Sequence, residues 1–327
     1  MTTRNNDTGD IMKNVAFLFP GQGSQSVGMG EDIYQAFPEA REIFETAEHI
    51  TDMPVRELCF KGPMDRLTQT VNLQPAVTAV NLAYLSLLNR EGIFPSLTAG
   101  HSLGEYSALC AAGVISETDT LKLVYRRGAL MHREAEKNKG AMHAIVGLPI
   151  EALQEIVASV QPEGVVAIAN HNTEKQIVIT GAPAPVEKVS AAAIQKGARS
   201  IPLKVSGAWH SRLIEGAQQE FENFLSGTDF STPKCDILMN VTGETVSEPD
   251  AIRAIMARQL CSPVRWYPSM QSLMARQIKA VVEVGPGKVL AGLMKQILPK
   301  DYPCKIYTVN SLKNLEQAVQ EIQNTVD

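Results

Sequence analysis

The chain has 327 residues, 44% hydrophobic and 20% charged, which excludes a disordered or fibrous protein and leaves one large globular domain or two smaller ones. A net charge of −5 and a pI near 5.8 give no overall basic field to attract nucleic acid or anionic lipid. The five scattered cysteines form no C-x-x-C pair, so neither a disulfide framework nor a zinc site is expected, and a reducing cytoplasm fits best.

The opening MTTRNNDTGD is polar, without the apolar core of a signal peptide or the arginine-rich character of a transit peptide, and residues 1–12 read as a loose tail. VAFLF (15–19) reads as the first buried strand, PGQGSQ as a tight loop and residues 31–49 as a helix. The apolar residues of QPAVTAVNLAYLSLLNREG (74–92) recur at helical spacing, and SLTA (96–99) is a short strand. No uninterrupted apolar run approaches the ~20 residues that span a bilayer. This alternation of strands and helices predicts a parallel sheet flanked by helices.

From about residue 140 to 205 the order becomes strand, helix, strand, strand, helix, strand, the split β-α-β arrangement of a ferredoxin-like unit. An α/β fold is therefore expected, with a large domain at 13–137 and 208–327 and an inserted subdomain at 138–207. The large domain resumes with a helix, a strand at CDILMNV (235–241), further helices and the strand AVVEV (280–284), which runs into GPGKVL.

Gly100-His101-Ser102-Leu103-Gly104 fits G-x-S-x-G, a strand-to-helix elbow that presents a serine hydroxyl on strained backbone. The N–H of Leu103 would supply half of an oxyanion hole, and a backbone N–H at Gln22 in PGQGSQ the other half. Gly21-Gln22-Gly23 is a poor dinucleotide motif, because Ser26 stands where the third glycine belongs. Six histidines are candidate bases: His49, His101, His132, His143, His171 and His210. His49 reads as a surface residue, His132 and His143 as structural, His171 as a loop residue, and His101 as pointing away from Ser102. His210 stands out: in VSGAWHSRL an apolar strand ends in Ser-Gly and Trp209 precedes the histidine in a loop, with catalytic and plain loop roles both open from the residues alone.

With these pieces in place the chain resembles the malonyl-CoA:acyl-carrier-protein transacylases. The likeness runs from about Val15 to Lys313 through FPGQGSQ (19–25), QPA (74–76), GHSLGEYSAL (100–109), RRGALM (126–131), GAMHAIVGL (140–148), QIVITG (176–181), GAWHSRLIEGA (207–217), QLCSPVRW (259–266) and EVGPGKVL (283–290). The resemblance implies an α/β-hydrolase-like large domain with a ferredoxin-like insertion. It implies Ser102 as nucleophile, His210 as base, Gln22 and Leu103 as oxyanion donors, and the Gln259 main-chain carbonyl as the group orienting the histidine. Arg127 would bind the malonyl carboxylate, while Gln74 and Trp209 would line the acyl pocket, the ring of Trp209 leaving little room for an α-methyl branch. Arg126 reads as an ordinary surface cation.

The implied reaction is a ping-pong transfer from malonyl-CoA through a malonyl-serine to the phosphopantetheine thiol of a holo acyl carrier protein, for fatty acid or polyketide synthesis. It calls for no metal or other cofactor, no nucleic acid, no membrane and no second subunit. Lys288 and Lys295, seven residues apart after GPG, are read either as one face of a helix docking the acidic carrier or as solvated cations. A thioester hydrolase and a non-catalytic carrier-binding scaffold are the competing readings; Arg127 argues against the first and the intact Ser102, His210 and Arg127 against the second.

Overall fold

The computed structural model describes residues 14–326, so the tail expected at 1–12 lies outside the described residues. Among the described residues nine strands form two sheets. They are β1 (Val15–Phe19), β2 (Leu97–Gly100), β3 (Ala141–Val146), β4 (Val166–Thr173), β5 (Gln176–Gly181), β6 (Arg199–Pro202), β7 (Asp236–Leu238), β8 (Ala280–Val284) and β9 (Lys305–Val309).

The larger sheet has the order β7-β2-β1-β8-β9, and its pairings are all parallel. Its central strands are apolar at nearly every position because helices cover both faces, and VAFLF and AVVEV are buried throughout. The smaller sheet is antiparallel, ordered β4-β5-β3-β6, and packs the helices Ile150–Val160 and Pro183–Gln195 over its own core of Ile145, Leu153, Ile177, Ile179 and Val189. An isolated bridge joins Asn170 of β4 to Val264, which lies just before the helix Trp266–Ala275.

The helix expected over 31–49 is two helices, Glu31–Ala36 and Pro38–Thr51. Proline at 38 forces Phe37 into extended backbone (φ −127°, ψ 130°), which ends the first helix and starts the second. The strand expected over 235–241 is only Asp236–Leu238, and His171 lies on β4 rather than in a loop. Lys288 does not share a helix face with Lys295: the helix is Val289–Ile297, and Lys288 precedes it with φ −156°.

Among the described residues one helix, Thr70–Arg90, is long and apolar enough to cross a membrane on length and composition, but 83% of that window is buried inside the protein. It is the central core helix, packed against Glu117–Lys137 and Pro38–Thr51. Asn81, near its middle, donates to the carbonyl of Pro20 at 3.1 Å and so ties the PGQG loop to the core.

Candidate active site

Strand β2 ends at Gly100 and the helix Gly104–Ala111 begins four residues later, leaving a turn with Ser102 at its tip. The turn is this tight because its glycines permit it. A Cβ on Gly100 would sit 2.0 Å from the backbone of Gly104, and one on Gly104 1.9 Å from the carbonyl oxygen of Phe19. Ser102 itself has φ 51°, the left-handed region that costs a non-glycine residue about 1–3 kcal/mol and persists only where the surroundings hold it. The holding group is Asn240, just past β7: its Oδ1 accepts the Ser102 N–H at 2.7 Å and its Nδ2 donates to the Gly100 carbonyl at 2.7 Å.

The Ser102 hydroxyl lies 2.8 Å from Nε2 of His210, which comes from a loop more than one hundred residues further along. His210 also has left-handed backbone, φ 59°, and is buried. Its Nδ1 faces two main-chain carbonyls, Ser262 at 2.9 Å and Gln259 at 3.2 Å. Both accept, so Nδ1 carries the proton and Nε2 presents a lone pair to the serine. Burial first, then the nearby Arg127 and His101, lowers the pKa of His210 to about 3, and the ring is neutral at physiological pH. The carbonyl expected from Gln259 is thus joined by a closer one from Ser262.

Arg127, from the helix Glu117–Lys137, is 1% exposed. Its Nη2 donates to the Ser102 hydroxyl at 3.1 Å and to Gln259 Oε1 at 3.1 Å, its Nε to the same oxygen at 3.2 Å and its Nη1 to Gln74 Oε1 at 3.0 Å. No carboxylate forms an ion pair with it among the described residues. Neighbouring Arg126 is half-exposed and paired with Glu220.

A cavity of about 100 Å³ opens on these groups, lined among others by Gln22, Ser102, Leu103, Arg127, Trp209 and His210. Gln74 is not among the lining residues; it stands behind Arg127 as an amide acceptor. Trp209 is 5% exposed, with its indole N–H unpartnered. His101 also lines the cavity, but its Nε2 is engaged at 2.9 Å with Asn172 Oδ1 of β4 and its ring rests on Trp266. The other histidines lie elsewhere: His49 is exposed, His132 lies near Glu136, His143 contacts Ser190 and Ser200 inside the smaller domain, and His171 lies tilted against the ring of Tyr267. The groups that sequence reasoning missed are Asn240, Ser262 and Glu105, the last described below. Ser262 and Glu105 fall within the quoted QLCSPVRW and GHSLGEYSAL stretches, which assign a role to neither; Asn240 lies in the strand segment CDILMNV without any pattern marking it.

A buried guanidinium beside a serine–histidine contact on an elbow, at the carboxyl ends of parallel strands, is the equipment of an acyltransferase of the α/β class. The acyl transferase domain family profile matches residues 16–322, and the chain belongs to that family and, within it, to the malonyl CoA-acyl carrier protein transacylases. The Bacillus subtilis (strain 168) malonyl CoA-acyl carrier protein transacylase is 39% identical over 97% of this chain and 99% of its own. The crystal structure of FabD from Acinetobacter baumannii superposes with a TM-score of 0.91 at 35% identity, covering 96% of this chain and 99% of that one. A malonyl-transacylase captured with its type II polyketide acyl-carrier protein gives 0.90 at 35% identity, covering 94% of this chain and 100% of that one.

Proposed function

We propose that the chain moves a malonyl group from malonyl-CoA to the phosphopantetheine thiol of an acyl carrier protein through a malonyl ester on Ser102, supplying fatty acid or polyketide synthesis. The observation that carries this reading is the position of Arg127, buried, without a carboxylate ion-pair partner among the described residues, and within reach of the serine hydroxyl. A planar guanidinium accepts a carboxylate at two points, so a malonyl group has its acid end held while its thioester carbonyl lies over Ser102.

In the first half-reaction Ser102 Oγ attacks the thioester carbonyl carbon and its proton passes to Nε2 of His210, 2.8 Å away. The N–H groups of Gln22 and Leu103, both on the cavity wall, receive the oxyanion. The tetrahedral intermediate collapses, the C–S bond breaks and CoA leaves as the thiol with the proton from His210. The carrier thiol then gives its proton to Nε2 as its sulfur attacks the ester carbonyl, and Ser102 leaves by taking that proton back. The carbonyls of Ser262 and Gln259 stabilise the transient imidazolium through Nδ1–H, the place a carboxylate takes in other serine enzymes. No resident cofactor enters any step. The nucleophile, base and cation all come from one chain, which fits a monomer, and the five unpaired cysteines fit a cytoplasmic setting.

Intact mass after brief mixing with malonyl-CoA tests this. The expected result is a malonyl adduct that disappears in Ser102→Ala, persists in water and moves to added holo carrier protein. An adduct that decays equally fast without carrier would make the chain a hydrolase, and none in the wild type would end the reading.

A further inference from the structure

Beneath the elbow lies a carboxylate that no step above uses. Glu105 is in the first turn of the helix Gly104–Ala111 and is fully buried. Its Oε1 accepts the backbone N–H of Asn240 at 2.7 Å and its Oε2 accepts Nε2 of Gln259 at 2.8 Å. Both partners lead on to the reacting groups. The Asn240 side chain brackets Ser102, as described. Gln259 Nε2 donates a second bond to the Ser102 carbonyl at 2.8 Å, while its Oε1 takes the two bonds from Arg127.

A glutamine amide has one accepting end and one donating end, and its neighbours decide which way it faces. An ionised carboxylate only accepts, so Glu105 compels the nitrogen of Gln259 to point inward. The oxygen is then left for Arg127. Burial outweighs the bonds from Asn240 and Gln259 and the charge of Arg127, and leaves the pKa of Glu105 raised to about 7. Donors on both oxygens are the arrangement a carboxylate, not a carboxylic acid, satisfies.

We propose that Glu105 is a positioning residue for transfer: by accepting from Asn240 and Gln259 it locks the Gln259 oxygen onto Arg127 and so aims the guanidinium that takes the substrate carboxylate. The inference rests on the function proposed above. Glu105→Gln keeps the shape but sets an NH2 against one of two donors. Relief comes from turning Gln259 over, which puts its NH2 against Arg127.

The test is kcat and KM for malonyl-CoA and acetyl-CoA in wild type, Glu105→Gln and Glu105→Asp, with Tm alongside. Glu105→Gln should lower the malonyl-over-acetyl ratio of kcat/KM at least fivefold, chiefly through KM for malonyl-CoA. Glu105→Asp, which still only accepts but is one carbon shorter, should fall between it and wild type. An unchanged ratio, or an equal loss for both substrates at whatever Tm, overturns the inference, because a purely structural residue would move both alike. Should Glu105→Gln not fold, Glu105→Asp decides: a lowered ratio supports and a wild-type ratio overturns. Wild-type enzyme that fails to load malonyl sinks the proposed function itself, whereas normal loading by wild type with an unchanged ratio in the variants sinks only the role of Glu105.

Discussion

The Arg127 guanidinium donates to the Ser102 hydroxyl across 3.1 Å, so the cation that would recognise the substrate also touches the nucleophile. That cation is one of the causes depressing His210, after burial. A substrate carboxylate on Arg127 would offset its charge and make His210 a stronger base, whereas a neutral acyl group would leave the base weakened.

Arg127→Ala should therefore reduce the preference for malonyl over acetyl in kcat as well as in KM. Hydrogen bonds to charged groups contribute about 1.5–3 kcal/mol, so the preference should fall roughly 10- to 150-fold. Arg127→Lys should recover little, since one ammonium cannot replace a fork spread between Gln74 and Gln259. Initial rates with both thioesters check this, and an unchanged ratio in either variant would contradict it.

The pH dependence of serine loading has a definite sign. With His210 lowered to about 3, its neutral, proton-accepting form is already complete below the usual histidine range. Acetyl loading at subsaturating acetyl-CoA, which does not call on the Arg127 site that Glu105 positions, should be flat from pH 5.5 to 8, with no inflection near the ordinary histidine value of about 6.5. Because the folded pKa lies below the unfolded one, His210 contributes stability that is full above about pH 6.5 and is lost as pH falls towards 3. Quenched-flow loading across this range is the measurement, and a half-maximal rate near pH 6.5 would show an ordinary histidine.

Gly104→Ala should abolish the elbow rather than merely weaken it. The added methyl has only backbone in its way, at 1.9 Å from Phe19 O, and backbone cannot swing aside as a flexible side chain can. A loss of ~3 kcal/mol or more is expected, about 4 °C or more in Tm at roughly 2.1 cal/mol/K per residue, or no soluble protein. Thermal denaturation checks it; a wild-type Tm would mean the strand and helix do not press together here.

Trp209 fills the wall of a cavity of only about 100 Å³. One extra carbon in such a pocket is worth about 1–3 kcal/mol, so malonyl should be preferred to methylmalonyl by roughly tenfold or more. Trp209→Ala should reduce that preference and cost stability, since the indole is 5% exposed. Competition between the two CoA esters reads out the ratio, and equal use by wild type would remove Trp209 as the limiting wall.

Much of this was legible in the sequence because it is local. The strands β1 and β8 are short apolar runs bounded by turn residues, and the smaller domain betrays itself by its order of elements. The break at Phe37 carried a local signal too, the proline after it. What escaped is the polar lattice under the elbow. Asn240 lies 138 residues from Ser102, and Glu105 reaches Gln259 across 154. Such pairings are set by how strands stack, and they leave no periodicity. The Ser262 carbonyl was invisible for a further reason, since every residue carries one and only the fold chooses which faces His210.

The bridge between β4 and Val264 has a mechanical consequence. Val264 donates to the carbonyl of Ala169 at 2.7 Å and accepts from the His171 N–H at 2.9 Å, which fastens the stretch carrying Gln259 and Ser262 to β4. The smaller domain is thereby a strut for the histidine's acceptors as well as a wall of the cavity. Cutting it out would not leave a minimal enzyme; it would free the very backbone that sets which nitrogen of His210 holds the proton.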